Sequence, residues 1–145
     1  MATTAPTAHA ACGGVQHFQP KKLRRPGAPP LAIGDSVMLG AARRLQAAGF
    51  EVDTRGCRQM GEGIGVLAGR RSAGTLPDVV VVALGTNWTV STSQIRGALR
   101  ILGPNRVLGL VTPPEVGGAV SSDQAVIRAA GRRWRLRVKV LDWVR

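Results

Sequence analysis

Short apolar runs alternate along this chain with longer stretches in which apolar residues return every three to four positions. The runs Leu31–Ile33, Phe50–Thr54, Val79–Leu84, Arg106–Val111 and Arg137–Leu141 have the length and β-branched content of strands. Val79–Leu84, an unbroken apolar run, is expected to be a central strand buried on both faces. Between the runs, Leu39–Ala48, Gln59–Arg71, Ser91 or Thr92 to Leu102, and Gln124–Trp134 carry helical periodicity. Gly49, Gly74 with Pro77, and Gly103-Pro104 supply the stops, and Ser122 or Asp123 is the expected cap of the last helix. Strands alternating with helices of this length predict a parallel sheet with helices on both sides. Right-handed crossovers make it a flavodoxin-like, three-layer α/β/α sandwich.

Two of the predicted strands run directly into polar turns. Leu31-Ala-Ile-Gly-Asp-Ser36 ends on a serine and Val79-Val-Val-Val-Ala-Leu-Gly-Thr-Asn87 on an asparagine. A serine between a strand and a helix has its hydroxyl at the sheet edge, beside the unpaired N–H groups of the first helical turn. Such donors can stabilise an oxyanion. The plain alternative is an ordinary turn in which Asp35 or Ser36 caps the following helix.

Gly-Asp-Ser and Gly-Thr-Asn, in that order and about fifty residues apart, resemble the SGNH (GDSL-type) serine hydrolases. The longer context, IGDSVMLGAA, RGCRQM, LPDVVVVALGTN and VLGLVTPP, looks most like SGNH domains attached to membrane acyltransferases that O-acetylate cell-surface polysaccharides. The resemblance spans residues 31–145. It implies that Ser36 is the nucleophile and contributes its own N–H to an oxyanion hole, and that Asn87 adds a side-chain N–H. Gly34 and Asp35 support the serine turn, and Gly85 lets the second turn approach. A glycine of the family's second block matches Gly56 best, with Gly61 and Gly63 nearby.

The family's last block, Asp-x-x-His, has no counterpart, so no acid/base pair is found and the domain is expected to be C-terminally truncated. His9 and His17 lie upstream of Ser36, and Asp142 has no histidine three residues on. A serine hydroxyl without a base is a poor nucleophile. The resemblance thus implies either an esterase or O-acyl (acetyl) transferase of glycan esters working through a Ser36 acyl-enzyme, or a catalytically inactive relative that binds an acyl or glycan ligand. It implies no metal and no organic cofactor, and a possible upstream membrane acyltransferase portion as partner.

Composition adds a third reading. The formal net charge of +12 is large for 145 residues and favours polyanions in general. The pairs Arg43-Arg44, Arg70-Arg71 and Arg132-Arg133 fall on predicted helices, where solvated faces explain them, and no aromatic residues interleave with Lys21–Arg25. Specific nucleic-acid recognition is not expected. Residues 1–30, rich in Ala, Thr, Gly and Pro, read as a basic tail or linker without a secretory signal, so the compartment is left open although the relatives' domain is extracytoplasmic. No apolar run is long enough to cross a bilayer as a helix. Cys12 and Cys57 can pair in an oxidising compartment, and their spacing fits no zinc pattern. Trp88 beside Asn87 reads either as lining for an acyl or sugar pocket or, more simply, as packing. Trp134 and Trp143 read as core.

Overall fold

The computed structural model describes residues 12–114 and 118–142, with the side chains of 118–121 excepted. His9 and Trp143 lie outside the described residues. Six strands, β1 (Gln16–Phe18), β2 (Leu31–Gly34), β3 (Glu51–Thr54), β4 (Val79–Ala83), β5 (Val107–Val111) and β6 (Val138–Leu141), form one sheet in the order β1-β3-β2-β4-β5-β6. All neighbours are parallel except β1, which runs antiparallel to β3 at the edge. Four helices connect them: α1 (Ser36–Ala47), α2 (Met60–Ser72), α3 (Thr92–Leu102) and α4 (Gly118–Arg133).

The strand order decides where the helices lie. The chain steps from β2 outward to β3 and then returns across the sheet to β4, β5 and β6. Right-handed crossovers therefore put α1 on one face and α2, α3 and α4 on the other. The core follows this division. Leu31, Ile33, Val80, Val82, Leu108 and Leu110 pack beneath the three-helix layer, against residues such as Leu67, Ile95, Leu99 and Ile127. On the opposite face Ala32 and Val52 pack against Met38 and Ala42 of α1. The α/β/α layering is the one the sequence pattern predicts.

Three local features differ from expectation. The segment read as a tail contributes β1, whose Gln16, His17 and Phe18 pair with Thr54, Asp53 and Val52. Helix α1 starts at Ser36, and of the two expected caps it is Asp35 that serves, its carboxylate accepting from Val37 N at 2.9 Å, which is the expected arrangement. Helix α4 starts at Gly118, so Asp123 lies inside it. Its buried carboxylate accepts from Val90 N at 2.9 Å, tying the loop after β4 to α4. Finally, β4 is buried on one face only: Val80 and Val82 are buried, whereas Val79 is 39% exposed and Val81 half-buried, because α1 does not reach over them.

Candidate functional site

The carboxyl ends of β2, β3 and β4 lie side by side, since Gly34 pairs with both Thr54 and Ala83. The three turns leaving them hold Ser36, Gly56 and Asn87. Glycine is required at the first because a Cβ on Gly34 would stand 2.4 Å from the Cβ of Met38, in the first turn of α1. The chain therefore passes from strand to helix within one residue, and Ser36 is left exposed as the first residue of the helix. Its N–H belongs to the turn whose N–H groups have no intrahelical acceptor.

Asp35 holds the turns together. It is 1% exposed, and every oxygen it carries is used. One carboxylate oxygen caps α1; the other accepts from Asn87 Nδ2 at 3.1 Å and from the Thr86 hydroxyl. Its carbonyl accepts from Leu39 N at 3.2 Å and from the Thr54 hydroxyl at the end of β3. Asn87 Nδ2 also donates to the carbonyl of Arg58 at 3.3 Å, which joins the turn after β3 to the turn after β4. The structure thus brings Ser36, the Gly56 loop and Asn87 to one rim. Gly85 adopts φ +134°, and a Cβ there would stand 3.1 Å from Pro113 Cγ, so glycine suits both the backbone and the close approach of the loop after β5.

The loop after β3 is braced from both sides. Arg58, only 2% exposed, ion-pairs with Asp53 at 2.9 Å and donates to the Asp53 carbonyl at 3.0 Å. Cys57 has φ 60°, a conformation uncommon for a residue with a Cβ, and is bonded to Cys12 across 45 residues. Cys12 in turn lies over Gly56, where a Cβ would meet the Cys12 carbonyl oxygen at 2.3 Å. Gly56 is therefore the glycine in direct contact with this strap, whereas Cβ atoms on Gly61 would meet nothing within 4 Å.

Among the described residues, His17 lies away from this rim, and Asp142 stands at the same carboxyl edge of the sheet but two strands beyond β4. His17 Nε2 lies 2.6 Å from Glu51 Oε1, and Arg70 grips the same carboxylate. Glu51 pairs with Leu31, three residues before Gly34 and thus about 10 Å below the rim. Burial pushes the Glu51 carboxyl up, but the bonds from Arg70 and His17 outweigh it and hold the group below its ordinary value. The Glu51 carboxylate holds the Arg70 guanidinium above its own ordinary value. Asp142, at the end of β6, is three strand spacings from β2, about 14 Å. It accepts from Thr112 Oγ1 and from Arg128 Nη2, each at 2.9 Å. Among the described residues no group of three or more His, Cys, Asp or Glu gathers as a metal site.

Sequence reasoning missed Thr86, Arg58 and Asp123, all of which fix the rim. Thr86 stands between the two residues of the Gly-x-Asn turn that attract attention, and Arg58 looks like one more surface charge. Trp88, expected mainly to pack, is instead 67% exposed next to Asn87.

Among solved structures the chain is similar to the C-terminal catalytic domain of Streptococcus pneumoniae peptidoglycan O-acetyltransferase A, solved with a methylsulfonyl adduct. The two share 23% identity over 81% of this chain and 70% of that one, with a TM-score of 0.71. This chain has that fold. No family model and no curated protein matches the sequence. Among the described residues no helix is long and apolar enough to cross a membrane.

Proposed function

We propose that this chain is an SGNH-type domain that handles acyl esters of glycans, with Ser36 as the nucleophile. The observation that carries the reading is the convergence on Asp35. One buried carboxylate caps the helix that begins at Ser36 and binds the amide of Asn87, so the hydroxyl and the amide sit on one rim. The fold shared with an O-acetyltransferase catalytic domain supports it. In the proposed reaction Ser36 Oγ attacks the ester carbonyl and its proton passes to a base. The tetrahedral oxyanion is held by the Ser36 N–H with help from the Gly56 loop and Asn87, and the sugar oxygen then leaves with a proton. The acyl-enzyme passes its acyl group to water or to a second sugar hydroxyl. An extracytoplasmic site beside a membrane acyltransferase portion suits such a substrate.

The proton acceptor is the open part of the reaction, because His17 is committed to Glu51 and Asp142 to Arg128. Added imidazole therefore serves as the test. With p-nitrophenyl acetate, imidazole should raise the rate of acyl transfer well above imidazole's own background in the parent, and Ser36→Ala should remove that excess. Equal rates for the parent and Ser36→Ala at every imidazole concentration would end the proposal of a competent nucleophile.

A second reading, a non-catalytic acyl- or glycan-binding module, has its own observation: Asn87 Nδ2 already donates to Asp35 and to the Arg58 carbonyl. Both of its protons then have protein acceptors, and an oxyanion would have to displace one of them. Saturable binding of an O-acetylated glycan without any Ser36-dependent turnover would favour this reading.

A further inference from the structure

Because β2 to β6 run parallel, their starts and the C-terminal ends of the helices lie together at the edge of the sheet opposite Ser36. The cations gather at that far edge. Lys21, Lys22, Arg24 and Arg25 precede β2, and Arg43 and Arg44 stand in the second half of α1. Arg100 is in the last turn of α3, and Arg132, Arg133 and Arg135 lie at and just past the end of α4. All are exposed, and among the described residues none of them forms an ion pair. The carboxylates divide the other way. Asp35, Asp53 and Asp142 stand at or next to strand ends, Glu62 in the first turn of α2 and Asp123 against Val90, all toward the Ser36 edge. At the far edge Glu51 is taken by Arg70 and His17, which leaves exposed Asp78, just before β4, as the counter-charge there among the described residues.

Helix C-termini favour nearby cations, which accounts for Arg44, Arg100 and Arg133. It does not account for Lys21, Lys22 and Arg25, which lie on no helix, nor for the apolar residues among the cations. Leu23, 55% exposed, is bracketed by Lys21-Lys22 and Arg24-Arg25, and Leu136, 88% exposed, by Arg135 and Arg137. Both loops are pinned to the fold. Lys21 N donates to the Gln46 carbonyl at 3.4 Å and Arg24 Nη2 to the Ala47 carbonyl at 2.9 Å, which fastens the first loop across the end of α1. Arg137 N donates to the Trp134 carbonyl at 2.9 Å, and its guanidinium to the carbonyls of Leu99 and Gly103, each at 2.6 Å, so Leu136 stands on a fixed turn. The strands beside the two loops, β3 and β6, are four spacings apart, about 19 Å. A basic face with two protruding leucines matches the headgroup region of an anionic bilayer, where cations meet lipid phosphates and leucines reach the acyl boundary. A soluble polyanion gives the leucines nothing to enter. A nucleic acid calls for stacking aromatics, and exposed Trp88 is at the opposite rim.

We infer that this edge docks on an anionic lipid bilayer, with Leu23 and Leu136 at headgroup level and the surrounding lysines and arginines on the lipid phosphates. Helix α1, whose C-terminal end lies at the docking face, has 12 residues and is about 18 Å long. Docking therefore holds the Ser36 rim about that far from the lipid and turned away from it, open to a polymer on the outer side. The inference stands on the charge and the leucines alone, independently of whether Ser36 reacts.

The test is flotation of the folded 145-residue protein with phosphatidylcholine vesicles, with and without about one-third phosphatidylglycerol, at physiological salt. The protein should float with the anionic vesicles and stay behind with the neutral ones. Lys21→Ala/Lys22→Ala/Arg25→Ala and Arg132→Ala/Arg135→Ala should each weaken binding about tenfold or more. Leu23→Ser/Leu136→Ser, which leaves the charge unchanged, should weaken it about tenfold as well. All these side chains are exposed, and circular dichroism confirms that each variant folds. Hydrogen exchange on the vesicles should protect amides of 21–25 and 135–137 and leave those of 35–37 and 86–88 as they are in solution. The inference is overturned if folded protein does not float with anionic vesicles, if it floats equally with neutral ones, or if protection falls on 35–37 and 86–88 instead. It is also overturned if the leucine variant binds as tightly as the parent, because the partner is then any polyanion rather than a bilayer.

Discussion

Replacing Asp35 by asparagine tests the convergence of the three turns almost without changing shape. Asparagine is as good an N-cap as aspartate, so its carbonyl oxygen keeps the bond to Val37 N and the start of α1 survives. The amide nitrogen then takes the place of the oxygen that accepts from Thr86 and Asn87. The Thr86 hydroxyl can rotate and accept, but Asn87 Nδ2 has only protons to offer and faces another donor. The loss is one bond to a charged acceptor, about 1.5–3 kcal/mol, at a site that is 1% exposed and admits little water. For a domain of this size that corresponds to a fall in Tm of about 5–10 °C. Asp35→Ala should cost about 1 kcal/mol more, because the cap is lost too. Urea unfolding of Asp35→Asn, Asn87→Ala and the double variant supplies a cycle, and a coupling above about 0.5 kcal/mol is expected for residues in contact. An Asp35→Asn protein as stable as the parent, or strict additivity with Asn87→Ala, would refute the reasoning.

Other consequences are open to simpler measurements. The link between Cys12 and Cys57 closes a loop of 45 residues, for which chain entropy gives about 4 kcal/mol, so Cys12→Ser/Cys57→Ser should unfold at clearly lower urea concentration than the oxidised parent. Because the Glu51 carboxyl is held below its ordinary value, its contribution is full above the unfolded pKa of about 4.3 and disappears as pH falls through the lower folded value. The stability gap between parent and Glu51→Gln should therefore be open near neutral pH and close on acidification; a gap constant with pH would contradict the Arg70 and His17 pairing. Exposed Trp88 beside Asn87 offers a flat apolar surface to a sugar ring. Trp88→Ala should raise the half-saturating concentration of an O-acetylated glycan about tenfold, some 1.4 kcal/mol, while leaving small-ester rates unchanged.

Much of the frame was legible because the signals were local. The β-branched run at Val79 and the apolar runs at Leu31 and Val107 each carry their own strand propensity. Gly34-Asp-Ser36 compresses a strand end, a cap and a helix start into three residues. What stayed hidden depends on partners far along the chain. Gln16–Phe18 has no strand pattern of its own and is held by pairing with β3, by the His17–Glu51 bond and by Cys12–Cys57. Gly118 looks like loop, yet α4 begins there, and Asp123, expected as its cap, instead reaches 33 residues back to Val90. At the site, motif picks out Ser36, Gly56 and Asn87 as candidates and Asp35 as support for the serine turn, whereas Thr86 and Arg58, which fasten the same turns, carry no such signal. Arg58 reads as surface charge until the fold buries it against Asp53, and Asp35 reads as a cap without revealing that its second oxygen gathers Thr86 and Asn87. The partial exposure of Val79 and Val81 escaped notice because an unbroken valine run carries no mark of how far each side is covered.

The reactivity of Ser36 is the claim on which the functional account rests, and covalent capture measures it directly. Protein treated with methanesulfonyl fluoride in imidazole buffer is digested and its peptides are mapped by mass spectrometry. The account predicts a sulfonyl adduct on Ser36 that forms faster than on any other serine and slows when Asn87 is changed to alanine. Folded protein whose Ser36 reacts no faster than the other serines would contradict it.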